Sequence, residues 1–313
     1  MGRARGATAQ MLVSIEGTYG TPPASGYNKV PFISSQLGAE QPLIDSELLG
    51  LGRAPADPTY DVVTNDGDVV VPLDANNLGV WLKLLLGAAV DSVVTAGSVF
   101  QHVFSSGADS LPSASIEVGH PSVPSFQTSY GARANIFRIG MQRSGNTSAT
   151  LGLIAKGETA PANASAAGSP TLLPIVRFAA ATGAIKIDGV QVGEIVSADI
   201  SFSNALEKIE TIRPDGEIAD ADPGMPMANG SLTAKFSDNA LFNKATAKTP
   251  VSLEFSWTAG AYSLKIVIAR AFLPKVKRPV TGPGGIQQDF NFQGSTGGAP
   301  MFVATLVNAV ASH

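Results

Sequence analysis

Alternating apolar and polar residues dominate this chain of 313 residues. The alternation runs through residues 137–141 and again through 149–153, with Ser144-Gly145 between the two runs. A period of two is typical of a half-buried strand, and a small-residue turn between two such runs predicts a β-hairpin.

A second hairpin is predicted where Asp188-Gly189 separates alternating residues 185–187 and 190–192, because Asp-Gly suits the tight turn between two strands. Further runs with the same period are predicted strands: 196–202, 251–257, 264–268, 290–292 and 301–307. Most of the fold is therefore predicted to be antiparallel sheet.

Two short segments have a helical period instead. The first has Asp74 as a predicted cap, Gly87 as a predicted end and an apolar stripe at i, i+3, i+4 and i+7, formed by Leu78, Trp81, Leu82 and Leu85. The second is predicted to begin at Ser237 or Asp238 and to end at Pro250, with a shorter stripe formed by Leu241, Phe242 and Ala245.

The two helical segments belong to blocks that repeat about 163 residues apart, 67–78 and 230–241. Gly, Asn and Leu recur in them at identical spacing, as Gly67 and Gly230, Asn76 and Asn239, and Leu78 and Leu241. An Ala-Asp-Pro triplet precedes each block, at 56–58 and 221–223. We interpret this as two similar folding units in tandem, which is typical of proteins that build symmetric arrays.

The boundary between the units is predicted in residues 156–172, which are rich in Ala, Gly, Ser and Pro, as linkers and exposed loops are. We therefore expect a first domain at 1–155, a linker at 156–172 and a second domain at 173–313. Each domain is long enough to bury an ordinary core.

Composition narrows the class of protein. With 44% hydrophobic residues, 33 glycines and 21 prolines, the chain is too apolar for disorder and too rich in turn formers for a helical bundle. A formal charge of −4 argues against a protein that grips nucleic acid. The absence of cysteine excludes disulfides and is compatible with a reducing cytoplasm. No export signal and no membrane span are predicted.

Candidate chemistry is sparse. The histidines His102, His120 and His313 have neither metal-ligand spacing nor a neighbouring carboxylate cluster in sequence, so they are interpreted as strand or surface residues. Gly282-Pro283-Gly284-Gly285 lacks the Lys and hydroxyl of a phosphate loop, and no Gly-x-Ser-x-Gly elbow occurs. We therefore predict no catalytic residues, no cofactor and no metal site.

The loops that precede the two repeated blocks are long and irregular and carry charges of both signs. They span 48–58 and 213–223. Long loops without their own secondary structure usually have a function, so we predict that these contact a neighbouring subunit or ring. The candidate contact residues are Arg53, Asp57, Pro58, Arg213, Asp215, Asp222 and Pro223. The alternative is a pair of solvated surface loops.

Four stretches of the first ninety residues carry a resemblance to a known family: Glu16-Gly17-Thr18-Tyr19-Gly20-Thr21-Pro22-Pro23, Lys29-Val30-Pro31-Phe32, Leu43-Ile44-Asp45-Ser46-Glu47 and Gly67-Asp68-Val69-Val70-Val71-Pro72-Leu73-Asp74. Together they resemble the tail tube proteins of long-tailed bacteriophages. The resemblance continues in outline through the Asp188-Gly189 hairpin and the last strands.

The resemblance implies a mainly β fold, with two tandem β-sandwich units that are each flanked by one α-helix and that join their neighbours in a β-barrel ring. Such rings stack into a tube around a tape-measure protein, contact tail-end proteins, and later conduct DNA into the host. The implied location is the virion tail, assembled in the bacterial cytoplasm without a membrane. Weak negative charge agrees with this, because an acidic or neutral wall lets a duplex slide.

Two units in one chain favour a ring of three chains over a ring of six. In the competing hexamer, one unit of each chain builds the barrel and the other decorates its outside. Two other classes share part of this pattern: a β-sandwich binding module or adhesin, and a hydrolase on a β scaffold. Few aromatic residues disfavour a sugar platform, and no nucleophile or metal set supports the hydrolase.

Overall fold

The computed structural model describes residues 3–50, 52–277 and 282–313. Over these residues the protein is mainly β, with two α-helices, so the predicted fold class is confirmed. In the described part of this single chain, the sheets are not closed into a barrel.

The first half of the chain contains fourteen strands, several of them only two or three residues long, and one α-helix. In order they are β1 (Gln10–Ile15), β2 (Asn28–Val30), β3 (Ser34–Ser35), β4 (Gly38–Glu40), β5 (Leu43–Ile44), β6 (Thr59–Tyr60), β7 (Thr64–Pro72), α1 (Leu78–Leu86), β8 (Val90–Thr95), β9 (Val99–Ser105), β10 (Ala114–Gly119), β11 (Phe126–Met141), β12 (Ser148–Ala155), β13 (Gly157–Glu158) and β14 (Thr171–Leu172).

The second half contains the remaining strands and the second helix. They are β15 (Ala184–Ile187), β16 (Val190–Gln191), β17 (Ile195–Ser203), β18 (Glu207–Ile209), β19 (Asp220–Asp222), β20 (Met227–Lys235), α2 (Ala240–Ala247), β21 (Val251–Ala259), β22 (Tyr262–Phe272), β23 (Gln287–Gly294) and β24 (Val303–Asn308). Both predicted hairpins are present, as β11–β12 and as β15–β16 with positive φ at Asp188 and Gly189.

Six long antiparallel strands form one layer, in the order β7–β12–β11–β17–β20–β23. At one end of this inner sheet, β3 and β4 pair with β7. At the other end, the last two residues of β22 pair with β23. The junction between β11 and β17 joins the two halves of the chain in one continuous sheet.

A second layer runs in the order β8–β9–β24–β22–β21–β15–β16. The apolar faces of the two layers and helix α1 share one continuous core. Its largest fully buried side chains include Trp81, Trp257, Phe104, Phe202 and Phe302. The alternation seen in sequence is therefore explained by strands that each bury one face.

The strand pairing of the first half is repeated in the second with the same spacing. Ser35 pairs with Val69 at the β3–β7 edge, and Ala198 pairs with Leu232 between β17 and β20, so both partners lie 163 residues later. The same shift relates the β5–β6 and β18–β19 hairpins, since Ile44 pairs with Thr59 and Glu207 pairs with Asp222. Segment β3–β4 is thus the counterpart of β17, and β7 the counterpart of β20.

Gly67 and Gly230 recur because the backbone of the neighbouring strand passes directly over each of them. A Cβ atom at Gly67 would lie 2.2 Å from the carbonyl oxygen of Gln36, and one at Gly230 would lie 2.0 Å from that of Asp199. Gln36 and Asp199 are themselves 163 residues apart. Only glycine allows this close backbone approach in either half.

The helices form where the sequence predicted them, with small differences at their ends. The Asp74 carboxylate accepts hydrogen bonds from the backbone N–H groups of Asn76 and Asn77, so it caps the turn before α1, which starts one residue after Asn77. Gly87, with φ 92°, ends α1 as expected. Helix α2 ends earlier than Pro250, at the left-handed residue Lys248.

The segment predicted as a linker, 156–172, is held along the first half of the chain. Its first residues form β13 against β11, and its last residues form β14 in parallel with β2. Between them, Ser165 and the backbone N–H of Ala166 donate to the buried carboxylate of Glu117. Pairing at both ends therefore gives this segment a fixed course, in contrast to the flexible chain that its composition suggests.

The Glu16 carboxylate anchors the N-terminal motif that carries the family resemblance. It is buried and accepts hydrogen bonds from the hydroxyls of Ser113 and Ser115, both at 2.6 Å, and from the N–H groups of Gly20 and Gly131 at 2.8 Å. Four donors compensate a buried carboxylate. This cluster fixes the start of the chain against β10 and β11.

Candidate functional site

The inner sheet has one apolar face in the core and one polar face that the chain itself leaves largely uncovered. Its polar face is formed by residues that alternate with the core residues along each strand: Asp66, Asp68, Val70, Ser148, Thr150, Gly152, Arg138, Gly140, Ser197, Asp199, Ser201, Ser203, Asn229, Ser231, Thr233, Lys235, Gln287, Asp289, Asn291 and Gln293. We call this surface the polar face.

Acidic side chains outnumber basic ones on the polar face. Asp66, Asp68, Asp199 and Asp289 are the acids, against Arg138 and Lys235 as bases. Hydroxyl and amide groups occupy most other positions, and Thr233 donates a hydrogen bond of 2.6 Å to Asp289. Such a face attracts no phosphate backbone, because binding of nucleic acid requires clustered positive charge.

Both ends of the inner sheet are incomplete. In the described ranges, β3 and β4 form ladder pairs with β7 alone, so their other edge has no strand partner. At the far end, β22 stops pairing with β23 at Phe272, and residues 273–277 continue without a strand partner. Unpaired edges of this kind bind further strands.

Two long hairpins project from equivalent positions in the two halves. We call residues 41–63 arm 1, which contains β5 and β6, and residues 204–226 arm 2, which contains β18 and β19. The loops predicted as contact arms lie within them. Leu51, at the tip of arm 1, lies outside the described residues.

Arm 2 is docked on the first half of the same chain through Arg133. The guanidinium of Arg133 donates to the backbone oxygen of Ala221 and forms an ion pair with Asp220 at 3.1 Å. Its other face packs on the ring of Tyr19, 4.9 Å from the ring centroid. Ala221 is completely buried as a result, and Leu206 and Ile218 join it in a small apolar cluster.

Two further polar contacts hold arm 2. The hydroxyl of Tyr130 donates to the Glu217 carboxylate, and Lys208 forms an ion pair with Asp66 at 2.7 Å. Burial, together with the neighbouring Glu217, raises the pKa of Tyr130 well above its usual range, so the phenol keeps its proton. Arm 2 thus lies across the junction between β11 and β17.

Arm 1 has no comparable surface to pack on within the chain. Its apolar side chains are exposed, from 47% at Ile44 and 55% at Leu43 to 74% at Tyr60 and 95% at Leu49. The counterparts in arm 2 of Leu43 and Pro55 are Leu206 and Ile218, both buried. Apolar residues of this kind, clustered on one exposed hairpin, indicate a surface that another molecule covers.

The structure distributes the predicted contact residues over the two arms. Arg53, Asp57 and Pro58 are exposed on arm 1. On arm 2, Arg213 and Asp215 form a bidentate ion pair, which lowers the pKa of Asp215 to about 2. Asp222 is exposed in β19 and Pro223 is half-buried. The two groups are equivalent in position but do not meet.

The residues that dock arm 2 were not found by sequence reasoning. Arg133, Tyr130 and Tyr19 are far from the arm in sequence and belong to no motif. The one available signal was the alternation in β11, where Arg133 interrupts a run of small and apolar residues. A cation at a strand position between buried neighbours indicates a partner elsewhere in the fold.

Two histidines also come together, contrary to the expectation of isolated strand or surface residues. His102 is buried, contacts Asp91 at 2.7 Å and lies edge to face with His313, with ring centroids 4.6 Å apart. Burial, and then the neighbouring His102, lowers the pKa of His313 to about 4. Across the residues with assigned positions, no group of His, Asp or Glu has the makings of a metal site.

The fold, the open sheet edges and the docked arm define a structural protein whose surfaces are made for contact with further strands. The family model for the phage tail tube protein matches residues 6–294, and the chain belongs to that family. It is a structural tail tube protein of the bacteriophage virion, which assembles with itself into a tube. The match does not favour the binding-module alternative.

No curated protein matches the chain significantly. Neither described helix is long and apolar enough to cross a membrane.

Proposed function

We propose that three copies of this chain close one ring of the tail tube, with the polar face toward the lumen. The observation that carries the proposal is the junction of β11 with β17, because it already joins two equivalent units edge to edge within one chain. Repeating that junction between chains uses the two incomplete ends of the inner sheet. A closed ring then removes every free edge of the inner sheet.

The proposed units are residues 1–155 and 173–313, with 156–172 between them. Each contributes four strands to the inner wall: β3–β4, β7, β12 and β11 in the first, and β17, β20, β23 and the extension of β22 in the second. Three chains supply six units, so the ring has pseudo-six-fold symmetry. In the competing hexamer, one unit of each chain would stand outside the wall.

The stacked rings are proposed to enclose a tape-measure protein during assembly in the host cytoplasm and to conduct DNA afterwards. Tail-end proteins are the proposed partners at the two ends of the tube. A wall with more acids than bases repels phosphates, so the duplex slides without specific binding. The proposed role involves no catalytic step, in keeping with a structural family.

The arms are proposed to make contacts between subunits and between rings. Arm 2 supports a lateral role for its base, because Asp220 and Glu217 bind the adjacent unit of the same chain. The arm tips stay open, with Leu49 at 95% and Ile212 at 108% of full exposure. We assign these tips, together with the candidate residues Arg53, Asp57, Pro58, Arg213, Asp215, Asp222 and Pro223, to contacts with a neighbouring subunit or ring.

The ring is tested by native mass measurement after purified protein has been assembled and dissociated into single rings. About three times 32.1 kDa supports the trimer, and about six times that mass contradicts it. Electron microscopy of the same sample shows whether rings with a central hole stack into tubes. A protein that stays monomeric at high concentration would contradict the proposed function as a whole.

The arms are tested separately by replacing residues 46–57 or 210–219 with a short Gly-Ser turn. Each variant is expected to form single rings that stack poorly, and circular dichroism should show that the β content is kept. Full-length tubes from both variants would show that the tips are solvated loops.

A further inference from the structure

We propose that residues 273–277 of one chain pair antiparallel with β4 of the next, in one defined register with Lys275 opposite Glu40. The partner is a second copy of this chain. This inference rests on the proposed ring and adds to it the residues that join one chain to the next. The register follows from the internal repeat.

The first step is the equivalence of β12 and β23. Thr150 of β12 pairs with Val70 of β7, and Asp289 of β23 pairs with Thr233 of β20. Since β20 is the counterpart of β7 at a shift of 163, β23 is the counterpart of β12 at a shift of 139. The two strands have the same length, Ser148–Ala155 and Gln287–Gly294.

The second step extends this equivalence to β11. Arg133 of β11 pairs with Ile154 of β12, and Phe272 of β22 pairs with Gln293 of β23. Both partners are again 139 residues apart. The chain after Phe272 therefore occupies, in the second unit, the position that β11 occupies in the first.

The third step is the bulge. In β11 the register against β12 shifts between Ala134 and Ile136, so the buried residues Ala134 and Phe137 are three apart. After Phe272, Leu273 is buried and Val276 packs partly buried against the core, also three apart. Pro274 lies between them, and bulges tolerate proline. The shift of 139 therefore holds through the bulge.

The in-chain junction then gives the register between chains. Ile136 pairs with Ser203, Phe137 with Phe202 and Arg138 with Ser201. Moving β11 forward by 139 and β17 back by 163 places Lys275 opposite Glu40, Val276 opposite Ala39 and Lys277 opposite Gly38.

The chemistry of these positions fits the register. The neutral pair Ile136–Ser203 of the in-chain junction is replaced by Lys275 and Glu40, which have opposite charge and are both exposed in the single chain. Small residues, Ala39 and Gly38, face Val276 and Lys277. In the free chain the N–H of Ala39 is 3.5 Å from the Glu158 carboxylate, a long contact that a strand partner would replace.

Charge reversal tests the register in the full chain. Glu40→Lys should raise the concentration needed for half-assembly by about tenfold, because two lysines then face each other at every junction between chains. Glu40→Lys combined with Lys275→Glu should restore assembly to near the wild-type concentration. The control is Glu47→Lys, a reversal of the same sign on arm 1, outside the proposed pair. Circular dichroism of the monomer confirms that each variant folds.

A disulfide test reads the register directly, since the chain has no cysteine of its own. Chains with Glu40→Cys are mixed with chains with Lys275→Cys, assembled and oxidised. A covalent dimer on a non-reducing gel is expected for this mixture. Pairing Glu40→Cys with Lys277→Cys, two residues out of register, should give several-fold less dimer.

The outcomes separate the register from the ring. If wild-type rings form but the double reversal gives no rescue and the in-register mixture yields no excess of dimer, the register is overturned while the proposed function stands. If the wild-type chain forms no rings, both proposals fail.

Discussion

Arms 1 and 2 are the same hairpin in two situations. Both pair their base strands with the same spacing, yet arm 2 buries Leu206, Ile218 and Ala221 against the first half, whereas arm 1 leaves Leu43 and Leu49 exposed. The difference lies in the neighbour. Arm 2 has the first unit of its own chain beside it, and arm 1 has nothing comparable. A repeated unit thus shows within one chain both the free and the bound state of its contact surface.

The two helices differ in the same direction. Helix α1 buries most of its residues beneath β1, β9 and β11, and the His313 ring packs onto Gly79. Helix α2, at the equivalent place, buries only Ala245. The second unit has no equivalent of the layer that covers α1. The backbone plan of the two units is therefore shared, while the layers around it belong mainly to the first.

The largest expected effect tests the shared backbone plan. Gly67→Ala and Gly230→Ala should each lower the free energy of unfolding by about 3 kcal/mol, because the new Cβ meets a backbone carbonyl oxygen at 2.2 or 2.0 Å. Urea unfolding followed by circular dichroism measures both. Similar losses in the two variants would confirm that one backbone contact serves both units.

Gly193→Ala is the matched control. No heavy atom lies within 4 Å of a Cβ at Gly193, so we expect a change within about 0.5 kcal/mol. A Gly67 variant as stable as this control would show that the β3–β4 segment is held less closely than its counterpart β17.

The sequence predicted the elements whose signals are local. Alternation identified β11, β12 and the Asp188-Gly189 hairpin, and the stripe from Leu78 to Leu85 identified α1. Segment β3–β4 carried no such signal, because Ser34 to Glu40 become strands only by pairing with β7. The docking of arm 2 escaped for the same reason, since Arg133 and Asp220 meet only once the halves have joined.

Acid is expected to act mainly on the first unit, through His313. The folded protein holds the His313 pKa at about 4, below its ordinary value of 6.5. Between these two values the unfolded chain binds a proton that the folded chain excludes, so the free energy of unfolding falls as the pH falls from 6.5 toward 4. The loss should reach about 2 kcal/mol at pH 4.5, measured by urea unfolding at pH 7.5 and 4.5.

The source of that acid sensitivity is tested with two single-histidine variants. His313→Gln should reduce the loss between pH 7.5 and 4.5 by about 2 kcal/mol, whereas His120→Gln, in the turn after β10, should leave it as in the wild type. An unchanged loss in His313→Gln would place the acid-sensitive group elsewhere in the cluster with His102 and Asp91.

The smallest effect returns to the arms. Asp220 pairs with Arg133, and its counterpart in arm 1 is the exposed Asp57. Asp220→Asn should lower the free energy of unfolding by about 1 kcal/mol and speed cleavage of residues 210–219 by a protease, because a partly exposed ion pair is weakened. Asp57→Asn should change the single chain by no more than a few tenths of a kcal/mol. In assembled rings this difference should narrow, since arm 1 then has the neighbouring chain to pack on. Cleavage of arm 1 that is as fast in rings as in monomers would show that the neighbour leaves arm 1 free.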